Sequence, residues 1–371
     1  METNLSVISQ YVNHMITYPS SPADLPAGTA CFYPWNADMP YASEVYAVEM
    51  KKDPAKDFVI LNLSDIQCHD GEAFCQVGEM AEETIDKLIK EVHPDLITLT
   101  GDNAFDQFAY LRLIEFLDAY NIPWAPCMGN ADMRDVEMNE FWACYRLAHA
   151  KNCLFRYGPE DMGDGNYVIN ITENGKIIHS LYMMDTHHET DDEKGTHYDH
   201  LTERQMQWYE WCARGIAAEA GHTVPSTAMF HMPVREYVDA WNSILDPKTG
   251  KPTGPAATQR YCQMREGCGC PDGNNGFFTL AGKMGTALMM CGHDHTNCFA
   301  IPYRGITLCY ALKTGYGCYW DEDSNGGTVV TIGSDGSPKV DFRFIDPRQS
   351  RVKKFVLDYF GVNLFAPHDN E

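Results

Sequence analysis

Basic residues are scarce in this chain. Its 28 lysines and arginines stand against 52 aspartates and glutamates, a formal charge of −24 over 371 residues. So acidic a surface works against binding to a nucleic acid polymer or an anionic membrane, both of which need positive charge. A small phosphorylated ligand is not excluded, because it feels local charge rather than the sum. Long apolar runs are also missing, and none approaches the ~18 residues of a membrane span. The first residues, Met1 to Gln10, have neither a basic start nor a long apolar core, so no secretory signal is expected. No internal repeat and no low-complexity linker divides the chain. Nor is there the glycine-flanked serine turn of a hydrolase that attacks through its own side chain.

Cysteine, by contrast, is plentiful at 14 residues, and the hydrophobic fraction of 44% suffices for a sizeable core. A chain of this size without a leader is expected in the cytoplasm with reduced thiols. Cys262, Cys268 and Cys270 cluster, with Cys291 or Cys298 as a conceivable fourth thiolate for a structural zinc. Their spacing matches none of the usual zinc patterns, and ordinary loop cysteines are the simpler reading. The oligomeric state is not legible.

Three regions emerge. Residues 1–57, rich in proline, serine and aromatics, read as an extension packing on the core. Residues 58–349 read as the main domain, and 350–371 as a terminal helix (Val352–Phe360) and tail. Within the domain, strands first alternate with helices at Glu79–Val92, Gln107–Tyr120, Asp135–Ala148, Thr202–Ala218 and Arg235–Asn242. Strands Tyr167–Ile171 and Lys176–Met184 flank Asn174 and Gly175, a hairpin signal. After residue 286 the pattern turns strand-rich. Together these predict an α/β chain with an α+β tendency: two packed mixed sheets with helices outside.

The most telling feature is how five apolar runs end. Phe58–Leu63 is followed by Ser64, Asp65, Ile66 and Gln67. Asp95–Thr100 leads into Gly101, Asp102 and Asn103. Ile122–Cys127 precedes Gly129, Asn130, Ala131 and Asp132. Pro225–Phe230 ends in His231. Thr286–Cys291 ends in Gly292, His293, Asp294 and His295. Singly, each has a plain explanation: Asp102 could cap the helix near Gln107, Asn130 and Asp132 could shape a turn, and His231 could be a satisfied core histidine. Together, oxygen and nitrogen donors at five strand ends are what a site for two metal ions needs.

The ordered series resembles the calcineurin-like metallophosphoesterase superfamily, whose pattern is D-x-H, G-D-x-x, G-N-H-[DE], a lone H, then G-H-x-H. The contexts around His231, around His293 and from Leu312 to Gly317 resemble its cytosolic purple-acid-phosphatase-like branch. The resemblance implies a four-layer sandwich of two mixed β-sheets flanked by helices. It also implies hydrolysis of a phosphate ester by a metal-bound hydroxide, with no phospho-enzyme. It makes Asp102 the bridging ligand, places Asp65, Gln67 and His295 on one metal, and places Asn130, His231 and His293 on the other. The mixed oxygen and nitrogen donors suit Mn, Fe, Zn or Ni. Asn103 stands where purple acid phosphatases carry a tyrosine ligand, which argues against a ferric tyrosinate centre.

Two positions depart from the pattern. Gln67 replaces the histidine of D-x-H; its amide oxygen can still meet a hard metal. Ala131 replaces the histidine that helps protonate the leaving group, and Asp132 matches the acid that orients it. Histidine to alanine needs two nucleotide changes, so Ala131 reads as an engineered replacement that slows turnover. His187 and His188 are candidates for the lost acid function, with solvated loop histidines the plain alternative. Asn103, Arg134 and Tyr316 are candidate substrate contacts, Tyr316 at the pocket rim. The expected activity is a phosphoric ester hydrolase acting on a small phosphorylated molecule, monoester or diester. The alternatives are a catalytically impaired member that binds a phosphorylated ligand, and a phosphoprotein phosphatase.

Overall fold

The structure is a computed structural model that describes residues 21–25, 31–68, 75–132, 140–192, 195–259 and 261–350. In chain order the strands are β1 (Ala47–Lys51), β2 (Phe58–Leu63), β3 (Leu96–Thr100), β4 (Trp124–Cys127), β5 (Tyr167–Glu173), β6 (Lys176–Met183), β7 (Glu189–Asp192), β8 (Gly195–Tyr198), β9 (Ser226–Met229), β10 (Gln263–Met264), β11 (Thr286–Cys291), β12 (Asn297–Tyr303), β13 (Ile306–Tyr310), β14 (Gly326–Ile332) and β15 (Pro338–Phe344). The helices are α1 (Ser43–Tyr46), α2 (Cys75–Val92), α3 (Gln107–Asp118), α4 (Glu140–Ala148), α5 (Glu203–Ala220), α6 (Glu236–Ser243) and α7 (Phe277–Lys283).

Eight strands form one sheet in the order β1-β5-β6-β9-β11-β13-β12-β10, and five form another in the order β15-β14-β2-β3-β4. Both are mixed. β2, β3 and β4 run parallel, as do β6, β9, β11 and β13, while β14, β15 and β12 run antiparallel to their neighbours. The sheets stack, with helices on their outer faces. The four-layer sandwich expected from the sequence is therefore the observed architecture.

Strand alternation builds the layers. In β11, Leu288 and Met290 enter the core between the sheets, while Met289 and Cys291 point to the helix side. In β6 the same split sends Leu181 and Met183 inward and Tyr182 outward. The outward set meets Trp208, Tyr209 and Cys212 of α5 and Phe277 of α7. The five-stranded sheet is covered by α2, through Met80, Ile85 and Leu88, and by α3 and α4. Local signals agree with this. Asn174 and Gly175 both take positive φ, 52° and 74°, as the tight β5–β6 turn requires. Thr202 and Gln205 form a reciprocal capping box at the start of α5. Asp106, not Asp102, caps α3 by accepting from Ala109 N.

Some elements differ from expectation. β1 pairs in parallel with β5, so the segment before Phe58 supplies a strand to the larger sheet. The acidic stretch after His188 forms a hairpin, β7 with β8, rather than a solvated loop. α4 begins at Glu140, with 133–139 outside the described residues, and the helix expected at Val352–Phe360 also lies outside them.

His179 of β6 is fully buried. Its Nδ1 donates to Gly336 O at 2.8 Å, so its Nε2 accepts from the Thr227 hydroxyl at 2.9 Å. Burial pushes its pKa down to about 4 from 6.5. The unfolded chain therefore takes up a proton before the folded chain does. Stability from this residue is present above about pH 6.5 and is lost as the pH falls toward 4. Urea titrations at pH 7.5 and pH 5 should show the parent protein losing about 2 kcal/mol more than His179→Gln on acidification. Equal losses would mean that His179 is already charged in the fold.

Candidate metal centre

The ends of β2, β3 and β4 from one sheet, and of β9 and β11 from the other, meet at one point. Backbone bonds tie the turns together: Asp65 N donates to Gly101 O at 3.2 Å, Gln67 N to Asp102 O at 2.9 Å and Gly292 N to His231 O at 3.1 Å. Glycine permits the crowding. A Cβ on Gly292 would lie 2.1 Å from Ser64 Oγ, and one on Gly129 would lie 2.3 Å from Asp102 N. Asp65, Gln67, Asp102 and His293 all adopt left-handed backbone, with φ of 48° to 76°. That conformation costs ~1–3 kcal/mol per residue, and it concentrates where side chains must converge.

One half of the centre is rich in nitrogen. Asn130 Oδ1 lies 3.0 Å from His231 Nε2 and 3.1 Å from His293 Nδ1, and the two ring nitrogens are 3.3 Å apart. Asp102 Oδ1 is 3.2 Å from His231 Nε2. Neighbouring ligands about 2.1 Å from one ion sit about 3.0–3.4 Å from each other, so this set fits a metal. His231 Nδ1 donates to Thr100 O at 2.8 Å, which leaves Nε2 free to coordinate. Burial works against charge on His231, but Asp102 and Asp65 outweigh it and raise the pKa to about 10. Burial, then the His231 charge, push His293 down to about 3. Burial also opposes the charge on Asp102, yet the His231 charge holds its carboxyl well below the usual range.

The other half carries the carboxylates. Ligand atoms of Asp65, Asp102 and His295 lie within 4.8 Å of one another, the only such group among the described residues. Among the described residues no third cysteine or histidine joins Cys268 and Cys270 closely enough for a structural zinc. His295 Nδ1 donates to Tyr319 O at 2.8 Å and turns Nε2 inward. Asp65 accepts from Ser64 Oγ at 2.5 Å and from His293 N at 3.1 Å. Burial opposes its charge, but His295, His231 and Lys313 hold its carboxyl below the usual carboxylate range. Gln67 takes part differently from expectation. Its Oε1 accepts from Lys313 Nζ at 2.7 Å, and its Nε2 faces Asp102 Oδ2 at 2.9 Å. Burial pushes the Lys313 pKa down to about 8.

The remaining sequence candidates separate. Ala131 is buried beside the centre, its N–H 2.8 Å from Asp102 Oδ1. Asp132 accepts from the backbone of Asn103, Ala104 and Gly129, from the Asn103 amide and from Tyr110 Oη. It fastens the β3 and β4 turns together, and burial pushes its pKa up to about 7. His188 reaches the centre, with Nδ1 3.2 Å from Asn130 O and Nε2 2.8 Å from Glu140 Oε2. The bond to Glu140 is the main reason its pKa rises to about 10. His187 is held elsewhere, by Gln205 Oε1 at 2.9 Å. Asn103 gives its amide NH₂ to Asp132 and Cys127 O, while its Oδ1 is buried with no hydrogen-bond partner among the described residues. Tyr316 is not at a pocket rim: it is buried against Trp320, and its hydroxyl meets Thr84 Oγ1 at 2.7 Å. An apolar ring with one hydrogen-bond partner in reach is more stable there than in water. Arg134 lies outside the described residues.

Two contacts had no sequence signal. The β7–β8 hairpin sets Tyr198 edge-on to His293, ring centroids 4.4 Å apart, and lets Glu189 accept from Asn130 Nδ2 at 2.9 Å.

The family described as Calcineurin-like phosphoesterase matches residues 58–297. "Probable inactive purple acid phosphatase 14" of Arabidopsis thaliana is 28% identical over 264 residues, 63% of this chain and 62% of that protein. "Phosphatase DCR2" of Saccharomyces cerevisiae is 25% identical over 308 residues, 74% of this chain and 50% of that protein. The chain thus spans no more than 62% of either relative. A dimetal phosphatase structure from Danio rerio superposes with a TM-score of 0.45 at 11% identity, over 78% of this chain and 99% of that one. The matched stretch runs from the first residue of β2 to the first residue of β12 and holds all five strand ends. The chain therefore belongs to the calcineurin-like phosphoesterase family.

Proposed function

We propose that this chain is a metal-dependent hydrolase of a small phosphorylated molecule, monoester or diester. The observation that carries the reading is the convergence of Asn130, His231 and His293 on one point shared with Asp102. Asp102 also belongs to the group with Asp65 and His295. Ions held there would acidify water and neutralise phosphoryl oxygens. The chain's own part is to hold the donors rigid. Thr100 and Tyr319 fix two imidazoles through their carbonyls, and Ala131 N–H steadies Asp102. His188 holds a proton beside the Asn130–Ala131 turn, where the family's missing histidine would stand. A cavity of about 200 Å³ is lined by Thr186, Met232, Arg235 and Asn274 and by none of the proposed ligands. The absence of disulfides among the described cysteines suits a reducing compartment such as the cytoplasm.

A second reading, an impaired member that retains a phosphorylated ligand, is favoured by Ala131, whose methyl group has no proton to give. Turnover decides between the two. Protein loaded in turn with Mn, Fe, Zn and Ni should hydrolyse p-nitrophenyl phosphate or its bis-ester. Metal binding without turnover of either would favour the second reading.

Water should attack phosphorus directly, because ions held by these ligands would supply the nucleophile. A phosphorothioate monoester made chiral at phosphorus with oxygen isotopes, hydrolysed in water carrying the third isotope, should give inverted thiophosphate. Retention, or a labelled phospho-enzyme trapped by acid quench, would sink the direct route.

A further inference from the structure

Lys313 and Gln67 make the two halves of the centre unequal. Lys313 is buried, and its Nζ donates to Gln67 Oε1 at 2.7 Å and to Asp65 O at 2.9 Å. At the other end of the same amide, Nε2 lies 2.9 Å from Asp102 Oδ2 and 3.2 Å from His295 Nε2. The partners fix which way the amide points. The lysine nitrogen offers donors and the ionised carboxylate offers only acceptors, so the carbonyl must face Lys313 and the NH₂ must face Asp102. Turning the amide over would set NH₂ against the lysine and oxygen against carboxylate, breaking both bonds. The NH₂ therefore points at the group formed by Asp65, Asp102 and His295. An amide nitrogen in this orientation offers hydrogens to that position and no lone pair.

We propose that Lys313 is a positioning residue that turns Gln67 from a metal ligand into a plug. It holds the amide NH₂ in the Asp65–Asp102–His295 position. An ion entering there must displace the NH₂, does so beside a buried lysine, and gains three protein ligands rather than four. The Asn130–His231–His293 position carries no such obstruction. The chain accordingly takes one ion tightly and a second weakly. This inference rests on the metal-centre reading above and adds an asymmetry that the reading does not require.

Metal-stripped full chain titrated with Mn²⁺, with free ion followed by electron paramagnetic resonance, tests it. The parent protein should bind one equivalent tightly and a second at least ~10-fold more weakly, the scale on which residues behind the ligands alter metal affinity. Gln67→Glu keeps the side chain's size; one oxygen can stay on Lys313 while the other faces the ion. Lys313→Met frees the amide to rotate. Each variant should tighten the second equivalent by ~10-fold or more and leave the first nearly unchanged. A spin-coupled signal should appear at lower Mn²⁺ than in the parent. Two equal equivalents in the parent, or an unmoved second affinity in folded Gln67→Glu, would overturn the inference while the phosphoesterase reading stood. Failure of every form to bind Mn²⁺ would overturn both.

Discussion

Asp102→Ala should leave the protein with less than one bound metal ion and reduce hydrolysis at least ~10³-fold. The side chain uses one oxygen toward each half of the centre. Oδ1 faces His231 Nε2 at 3.2 Å and accepts from Ala131 N, and Oδ2 faces Gln67 Nε2 at 2.9 Å. Asp65, the other carboxylate, lies 3.5 Å from His295 Nε2 but meets the nitrogen-rich half only at the His293 backbone N–H. Its loss therefore removes a ligand from each position and the negative charge that faces the His231 imidazole. Elemental analysis after gel filtration, beside the hydrolysis rate, reads both effects. Asp102→Asn, which keeps the volume and one oxygen, should fall between the two forms. An alanine variant that kept its metal and its rate would remove Asp102 from the centre.

Ala131→His should raise kcat on the true substrate by at least about 10², the usual contribution of a positioned acid. The residue is already fixed against the centre by its N–H to Asp102, so a new imidazole would project from a rigid point. The metal ligands are untouched, so metal content should not change, and a rise in kcat at constant metal content isolates the proton-transfer role. A variant no faster than its parent would place the acid elsewhere. His188 would then be tested before His187, because His188 contacts Asn130 O whereas His187 is held by Gln205.

Much of this was legible in the sequence, for a definable reason. Donors that follow directly on apolar runs are placed by the strands themselves, and the strands announce their ends. Asp65, Asp102, Asn130, His231, His293 and His295 were marked by their places at strand ends, and the family resemblance assigned them to the metals. What was not legible depends on partners distant in sequence. Gln67 was expected to turn an oxygen toward the metal, but that orientation is decided by Lys313, 246 residues away. Tyr316 lies between glycines, a polar-looking context, yet the packing of α2 supplies Thr84 for its hydroxyl. The β7–β8 hairpin has no apolar alternation to betray it; its residues are largely charged and polar, and pairing of the two strands holds them. β1 is short, and only its parallel pairing with β5 makes it a strand.

The placement of the ligands has a mechanical consequence. Asp65, Asp102 and Asn130 stand on the five-stranded sheet, while His231, His293 and His295 stand on the eight-stranded one. Each of the two positions draws ligands from both sheets, so an ion held in either would be a rivet through the seam, and the sheets could not slide apart without tearing its ligands away. Binding energy at the centre thereby becomes cohesion between the halves of the molecule, growing with free metal concentration as the logarithm of saturation. A chelator would withdraw the catalyst and the fastener in the same act, and a cell starved of the metal would hold a looser protein as well as an idle one.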